Sequence, residues 1–485
     1  MNVSCLSCHR VSAGRRRRVS WSCLRLRLGD YVASSLTCEG LWVLTDTQCG
    51  ISCVLMPRKK IFPTQTAIVP CVMVRFLFSR QICLVASLLM WPPLFARAED
   101  GVSRSEVYKN VARLAAVGDK LFHDPRLSAS GALSCASCHS EHAAFAPDNA
   151  LSVQYGGVDM AQRGHRAVPS LKYLENVPQF TEHFFDSEDE ADESIDNGPT
   201  GGLTWDGRAN TLAEQAAIPL LAPFEMGRQT PQEVVNRAVR AGYGDTLREL
   251  GPYLHTTNLF VVITKALEAY QQDWRRFYPY SSKYDAYLAG KATLSPQEQL
   301  GLKVFEDPEK GNCASCHKSQ PGYDGTPPQF TDYGMIAVGV PRNRALPFNR
   351  NPNAFDLGLC GPDRTDLKQH ADYCGLFRTP SLRNVATRHT FFHNGFYHSL
   401  RDAVAFYVLR DTHPEQIYPV GKDGKVLKYD DLPERYQENI NMDPPFGPQP
   451  DNRPVLSDNE IDAIVAFLNT LTDGYSATQA SDATQ

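Results

Sequence analysis

Residues 121–139 read LFHDPRLSASGALSCASCH, and residues 304–317 read VFEDPEKGNCASCH. Each stretch closes an apolar, helix-like segment with Asp-Pro and then delivers Cys-x-x-Cys-His. Upstream of the first, Val107, Val111, Leu114, Gly118, Leu121 and Phe122 recur at helical spacing, which predicts a helix over Ser105–Phe122 with these residues on its buried face. Upstream of the second, Ser295 as N-cap, Pro296 at the first position and Glu298 three residues after the cap open another helix cleanly. The chain therefore carries two copies of one small helical module. Two further helices complete the outline. One spans Leu259–Trp274, burying Leu259, Val262, Ile263, Ala266, Leu267 and Tyr270. The other begins at Ser457 with Glu460 as box partner and buries Ile461, Ile464, Val465, Leu468 and Leu471. Between them, residues 321–375 are rich in Pro, Gly and Asn and read as long ordered loops. Few strands are indicated, so the fold class is all-α.

Cys-x-x-Cys-His is the c-type heme attachment signature. Two thiols at this spacing add to the two vinyl groups of one porphyrin, and the adjacent histidine reaches the iron. A zinc site would need further Cys or His at ligand spacing, and only His142 is near. A thiol redox pair would need a βαβ context, which is absent. The motifs imply two covalently bound heme c groups, on Cys135, Cys138 and His139 and on Cys313, Cys316 and His317. Cys360 and Cys374 remain, in a loop-rich exported segment, and are expected to form a disulfide.

Export is read from the other end. The chain has 485 residues, 42% hydrophobic and 21% charged, with net charge −5, so a sizeable core forms and a nucleic-acid partner is not indicated. Residues 1–98 hold 13 Lys/Arg and 3 Asp/Glu, leaving 36 against 51 in residues 99–485; eight of the 14 cysteines also fall in the first 98. Residues 73–98 have a positive start (Arg75, Arg80), an apolar run from Ile82 to Trp91 and Ala96-Arg97-Ala98, the pattern of a secretory signal peptide cleaved after Ala98. No stable membrane span is expected after cleavage. Residues 1–72 precede the signal, show no helical or strand periodicity, and read as an extension from a start codon placed too early. Its arginine run Arg15–Arg18 and its Cys5-Leu6-Ser7-Cys8-His9 match are set aside on that ground. The remaining parts are 99–285 as an N-terminal cytochrome c domain, 286–475 as a C-terminal one, with a polar boundary at Ser281–Leu294, and 476–485 as a tail. The acidic run at residues 186–196 reads as a solvated insertion.

The chain resembles the bacterial diheme cytochrome c peroxidase family, including its MauG-like branch, over about residues 103–473. The two quoted stretches carry the resemblance, together with LTWDGRANTLAEQAAIPLLAPFEMG and FRTPSLRNVATRHTFFHNGFYHSLRDAVAFY. It implies two cytochrome c-like domains with a peroxidatic heme on His139 and an electron-transfer heme on His317. It implies Trp205 as a relay between them, Gln215 and Pro219 lining the peroxide pocket, and Glu225 as catalytic carboxylate. A carboxylate there would take a proton from one peroxide oxygen and give it to the other. The second axial ligand matches Tyr407, which shares a helical face with Leu400, Val404 and Val408; Met442 lies too far along. An anionic phenolate would favour the oxidised iron relative to methionine.

Two departures stand out. No Gly-His-x-Trp-like segment supplies a distal histidine; His142 is too close to His139, and His165 sits in a different stretch, so an open sixth position is expected on the first heme. The family's interdomain calcium, bound by an Asn oxygen and by Thr and Pro carbonyls, falls on Ala167, Arg388 and Thr390, so calcium is left open. The implied activity is periplasmic reduction of hydrogen peroxide to water with electrons from a small redox protein, a cytochrome c or a cupredoxin. Two alternatives are carried: a MauG-like oxidase modifying a partner protein's tryptophan through a high-valent diheme state, and an electron-transfer cytochrome without catalysis. A homodimer is compatible with the sequence.

Overall fold

The computed structural model describes residues 103–185, 196–227 and 229–476, together with the strands Trp42–Thr45 and Ser52–Leu55. The chain divides into two compact units, Met1–Phe95 and Ala96–Gln485. In the first, the two strands pair antiparallel, Trp42 opposite Leu55. This corrects the reading of residues 1–72 as free of strand structure: WVLT and SCVL form a short antiparallel pair. The Cys5–His9 motif, the arginine run, the signal peptide with its cleavage site, most of the acidic run and nearly all of the tail lie outside the described residues.

The second unit is helical, with two antiparallel ladders of two residues each, Tyr155–Gly156 with Gln162–Arg163 and Met335–Ile336 with Phe377–Arg378. Its first helix runs Arg104–His123, capped by Ser103, whose side chain accepts from the Glu106 N–H. It crosses the helix Leu259–Gln271 at Gly118, where a Cβ would lie 1.9 Å from the Ala266 carbonyl oxygen. Only glycine lets the two backbones approach so closely. Around the crossing, Leu121, Phe122, Val262, Ile263, Ala266 and Leu267 are buried. Val107 and Val111 are 37% and 41% exposed. They lie on the expected face, but a helix of 20 residues overruns a partner of 13, and its first turns have nothing to pack on. The partner stops at Gln271, short of the expected Trp274, because Asp273 caps a separate turn at Trp274–Phe277.

The same crossing recurs. The helix Pro296–Glu306, opened by the expected Ser295/Glu298 capping box, meets the helix Asp458–Asn469, opened by Ser457/Glu460. At Gly301 a Cβ would lie 1.9 Å from the Ala463 carbonyl oxygen. Here Phe305, Ile464, Phe467 and Leu471 are buried; Val465 is only half-buried, and Ala463 and Phe467 take the place expected for it. Each large apolar side chain fully buried in this way contributes roughly 1.5–3 kcal/mol relative to exposure. The stretch Ser281–Leu294, read as a polar boundary, contains a short helix, Lys283–Leu288, with a Ser282/Asp285 capping box. Its Tyr284 packs in the second core, so the expected 285/286 division falls inside an element of that core. The loops at residues 321–375 are tied by the Cys360–Cys374 disulfide. No helix among the described residues is long and apolar enough to cross a membrane.

Candidate functional site

Each Cys-x-x-Cys-His motif follows one of the paired helices and opens on a cavity. The larger cavity, about 620 Å³, is lined by Cys313, Cys316, His317 and Tyr407. The smaller, about 190 Å³, is lined by Cys135, Cys138, His139, Gln215, Pro219 and Glu225. Trp205 lines both. All eleven residues singled out from the sequence thus lie around two adjoining spaces.

The two histidines are held alike. His139 Nδ1 lies 2.8 Å from the Phe145 carbonyl oxygen and His317 Nδ1 2.9 Å from that of Phe330. Phe145 and Phe330 both have left-handed backbones, φ 55° and 54°, which turn these carbonyls toward the rings. Burial lowers both imidazole pKa values, His139 to about 4. Each ring is therefore neutral with Nδ1–H donating, which leaves Nε2 as a lone-pair donor, the arrangement of a metal-ligating histidine with its orienting partner. The four motif cysteines are unpaired, and burial pushes the thiols of Cys135, Cys138 and Cys313 up to about 12. Such thiols are poor thiolate nucleophiles, unlike those of a redox dithiol. Among the described residues, no three His, Cys, Asp or Glu side chains cluster as a metal site, so zinc has no donor set. Thiol pairs at the spacing of the heme attachment motif, oriented imidazoles and apolar walls fit heme c. In the tighter cavity this donor chemistry, rather than free volume, carries the fit.

Glu225 sits on the loop after the helix Leu212–Leu221. Pro219, inside that helix, removes the N–H that would bond the Gln215 carbonyl. The Tyr155–Gly156 strand presses on the Glu225 loop: Gly157 N–H donates to the Glu225 carbonyl at 2.8 Å, and a Cβ on Gly156 would lie 2.4 Å from the Phe224 carbonyl oxygen. Burial raises the Glu225 pKa to about 7; Arg208 opposes this and Asp363 adds to it.

Trp205 donates from Nε1 to the Ala167 carbonyl at 2.8 Å. Thr204 before it holds φ 73°, an uncommon conformation for a β-branched residue. Its hydroxyl is fixed on Asp206 at 2.6 Å. Asp206 is fully buried, and Arg166 and Arg208 hold it at 2.6 and 2.8 Å. Arg166 also grips Asp356 through two nitrogens, at 2.6 and 2.7 Å. Sequence reading missed this ion network. Asp206 and Arg208 lie in the TWDGRA segment, but nothing local points to pairs that join residues 40 and 190 positions apart.

Tyr407 belongs to the helix Leu400–Leu409, capped by Ser399. Leu400, Val404, Tyr407 and Val408 all face the larger cavity, as their spacing predicts. The Tyr407 ring stacks on Phe446 at 5.2 Å, and its hydroxyl makes no hydrogen bond with the described residues. Burial, reinforced by the Cys313 and Cys316 thiols, raises its pKa. Met442 does not line the cavity; its sulfur contacts Arg410 and Tyr429. His142 is exposed, whereas His165 lines the smaller cavity. Its ring stacks on Phe348 at 4.6 Å, with Nε2 3.5 Å from Asp356 and 3.6 Å from Asp363. Where calcium was left open, the Arg388 guanidinium donates to the Thr390 and Val168 carbonyls at 3.3 and 3.1 Å.

Residues 112–293 match the family model described as di-haem cytochrome c peroxidase. The chain is 32% identical to the methylamine utilization protein MauG of Paracoccus denitrificans, over 74% of this chain and 88% of that protein. It is 30% identical to the cytochrome c551 peroxidase of Pseudomonas aeruginosa, over 60% of this chain and 70% of that protein. Among solved structures, the diheme peroxidase BthA of Burkholderia thailandensis superposes with a TM-score of 0.64 at 39% identity, covering 74% of this chain and 86% of that one.

Proposed function

The chain belongs to the di-haem cytochrome c peroxidase family, which takes in MauG, and on that premise we propose that it reduces hydrogen peroxide to water in the periplasm with electrons from a small redox protein. Two cytochrome c-like halves would each carry one heme c, His139 and Tyr407 belonging to different halves. The observation that carries the reading is Glu225, a half-buried carboxyl whose pKa desolvation raises to about 7, lining the same cavity as the His139 motif. A carboxyl poised near neutrality accepts and returns a proton with little driving-force penalty either way.

When bound, the hemes supply the two-electron redox chemistry that cleaves the peroxide O–O bond. The residues do the rest. Glu225 takes the proton from the near peroxide oxygen and delivers it to the far one, so that the latter leaves as water. Gln215 and Pro219 shape the wall against which peroxide sits. Trp205, lining both cavities, stands where an electron passing between them would cross. The strained Thr204 and the Asp206 ion network hold its indole in place. Tyr407 would hold the group in the larger cavity as its second ligand, a role its unbonded hydroxyl supports.

Purely electron-transferring function leaves Glu225 without a task. A MauG-like oxidase is the second reading, favoured by the Tyr407 placement and by the likeness to MauG. Steady-state assays separate the three. Peroxide-dependent oxidation of a reduced cytochrome c or cupredoxin, with stoichiometric water formation, supports the peroxidase; turnover only with a partner protein that becomes oxidised itself supports the second reading; no turnover supports the third.

A further inference from the structure

Between the two cavities lie two guanidinium groups with no countercharge. Arg378 lines both cavities and Arg388 lines the larger. Both are half-buried where they line those cavities. Buried arginines nearby each hold a carboxylate: Arg166 holds Asp206 at 2.6 Å, Arg383 holds Asp285 at 2.9 Å and Arg410 holds Asp411 at 2.6 Å. Arg378 and Arg388 hold none among the described residues. The Arg378 side chain donates to the Thr204 carbonyl at 3.2 Å, and its backbone N–H to the Trp205 carbonyl at 2.8 Å. Arg388 donates to the Thr390 and Val168 carbonyls. These bonds use a minority of each guanidinium's five donors. Burial lowers both pKa values, to about 10, so both groups stay charged at neutral pH. A desolvated cation without a counterion is unfavourable. The missing charge therefore belongs to whatever fills the cavities.

We propose that Arg378 and Arg388 are the counterions of the porphyrin carboxylates, Arg388 for the group in the larger cavity and Arg378 shared between the two beside Trp205. The proposal rests on the two-heme reading. Each heme c carries two propionates, and the planar guanidinium fork matches a carboxylate through two parallel hydrogen bonds. Arg388 also donates to the Thr390 carbonyl, one of the positions the family resemblance matches to a calcium ligand.

The test uses the matured holoprotein and the variants Arg378→Met, Arg378→Lys, Arg388→Met and Arg388→Lys. Heme stoichiometry is read by intact mass and reduction midpoints by spectroelectrochemistry. All variants should keep two hemes, because thioether bonds hold them. Each Met variant should shift the reduction equilibrium of the adjacent heme about tenfold toward the oxidised state, equivalent to about 59 mV for one electron. The Lys variants should recover most of that shift, and dialysis against EDTA should leave the wild type unchanged. Unchanged midpoints in the Met variants overturn the proposal, as do Lys variants that shift as far as Met. Midpoints that follow added acetate or chloride also overturn it, by assigning the counterion to solvent. A chelator effect on the wild type overturns the part assigned to Arg388. Fewer than two hemes in the wild type contradicts the two-heme reading instead. Should the Met variants fail to accumulate, a structure of the wild-type holoprotein decides: propionate oxygens should lie about 2.7–2.9 Å from these guanidinium nitrogens, and propionates turned away from both arginines refute the pairing.

Discussion

Replacing Glu225 by Gln preserves the shape of the side chain and removes its titration. The wild-type carboxyl is held near pH 7 by burial, with Asp363 adding to the rise and Arg208 opposing it. With that midpoint, about one carboxyl in ten is ionised at pH 6 and about one in a hundred at pH 5. If the ionised form starts the reaction, the rate at low peroxide should fall about tenfold per pH unit below 7 and level off above it. Glu225→Gln should lose roughly a hundredfold or more at pH 7.5, the usual contribution of a positioned acid–base group, and its residual rate should be flat from pH 5 to 8. The stability effect has the opposite sign to an ordinary ion pair. A carboxyl whose folded pKa is raised favours the folded state below its ordinary range and loses that advantage as pH rises through 7. The Gln variant should therefore be relatively more resistant to denaturation at pH 8 than at pH 5, compared with wild type. The assay is stopped-flow peroxide consumption, with heme content fixed by absorbance and unfolding followed by circular dichroism. Near wild-type turnover in Glu225→Gln, or a variant whose rate still titrates near 7, refutes the reasoning.

Tyr407→Phe should remove the low-spin signal of the heme on His317, and Tyr407→Met should raise that heme's reduction potential, since a neutral thioether favours ferrous iron more than a phenolate does; electron paramagnetic resonance and potentiometry check both. Trp205→Phe should leave the first reaction with peroxide intact and slow the spread of oxidising equivalents to the second heme, seen as separated phases in rapid-mixing spectra. Gly301→Ala places a Cβ 1.9 Å from the Ala463 carbonyl oxygen. It should destabilise the protein by about 1–3 kcal/mol or more in chemical denaturation, whereas alanine at Gly325, where no atom lies within 4 Å but φ is +82°, should show only the smaller backbone strain.

What the sequence revealed depended on how local the signal was. The Ser295/Glu298 and Ser457/Glu460 boxes need only four consecutive residues, and both caps form as read. Ser282/Asp285 is equally local, but the polar stretch around it gives no apolar periodicity to mark the helix it opens. The buried face of the first helix was half right. Periodicity puts Val107 and Val111 in line with Leu114 and Leu121, but cannot say where the partner helix ends. The inward face Leu400, Val404, Tyr407 and Val408 was legible because its helical spacing puts all four on the cavity wall. The Gly118 and Gly301 crossings left a readable trace, GDKLFHDP against GLKVFEDP, though their contact with Ala266 and Ala463 spans more than 140 residues. The Arg166–Asp206–Asp356 network and the unpaired Arg378 and Arg388 were illegible, since a charge in a loop says nothing of its partner until the chain is folded. His165 sits in a stretch unlike the family's distal-histidine segment, yet folding brings it to the same cavity as His139.

The central claim is that one heme on His139 keeps an accessible site while the other is closed by Tyr407. Low-temperature electron paramagnetic resonance of the oxidised, mature protein, on a sample whose intact mass shows two hemes, tests it most directly. The account predicts one high-spin ferric signal and one low-spin signal of histidine–tyrosinate type in equal amounts. Two low-spin signals, such as His165 bound opposite His139 would produce, or a second heme with histidine–methionine character, would contradict it.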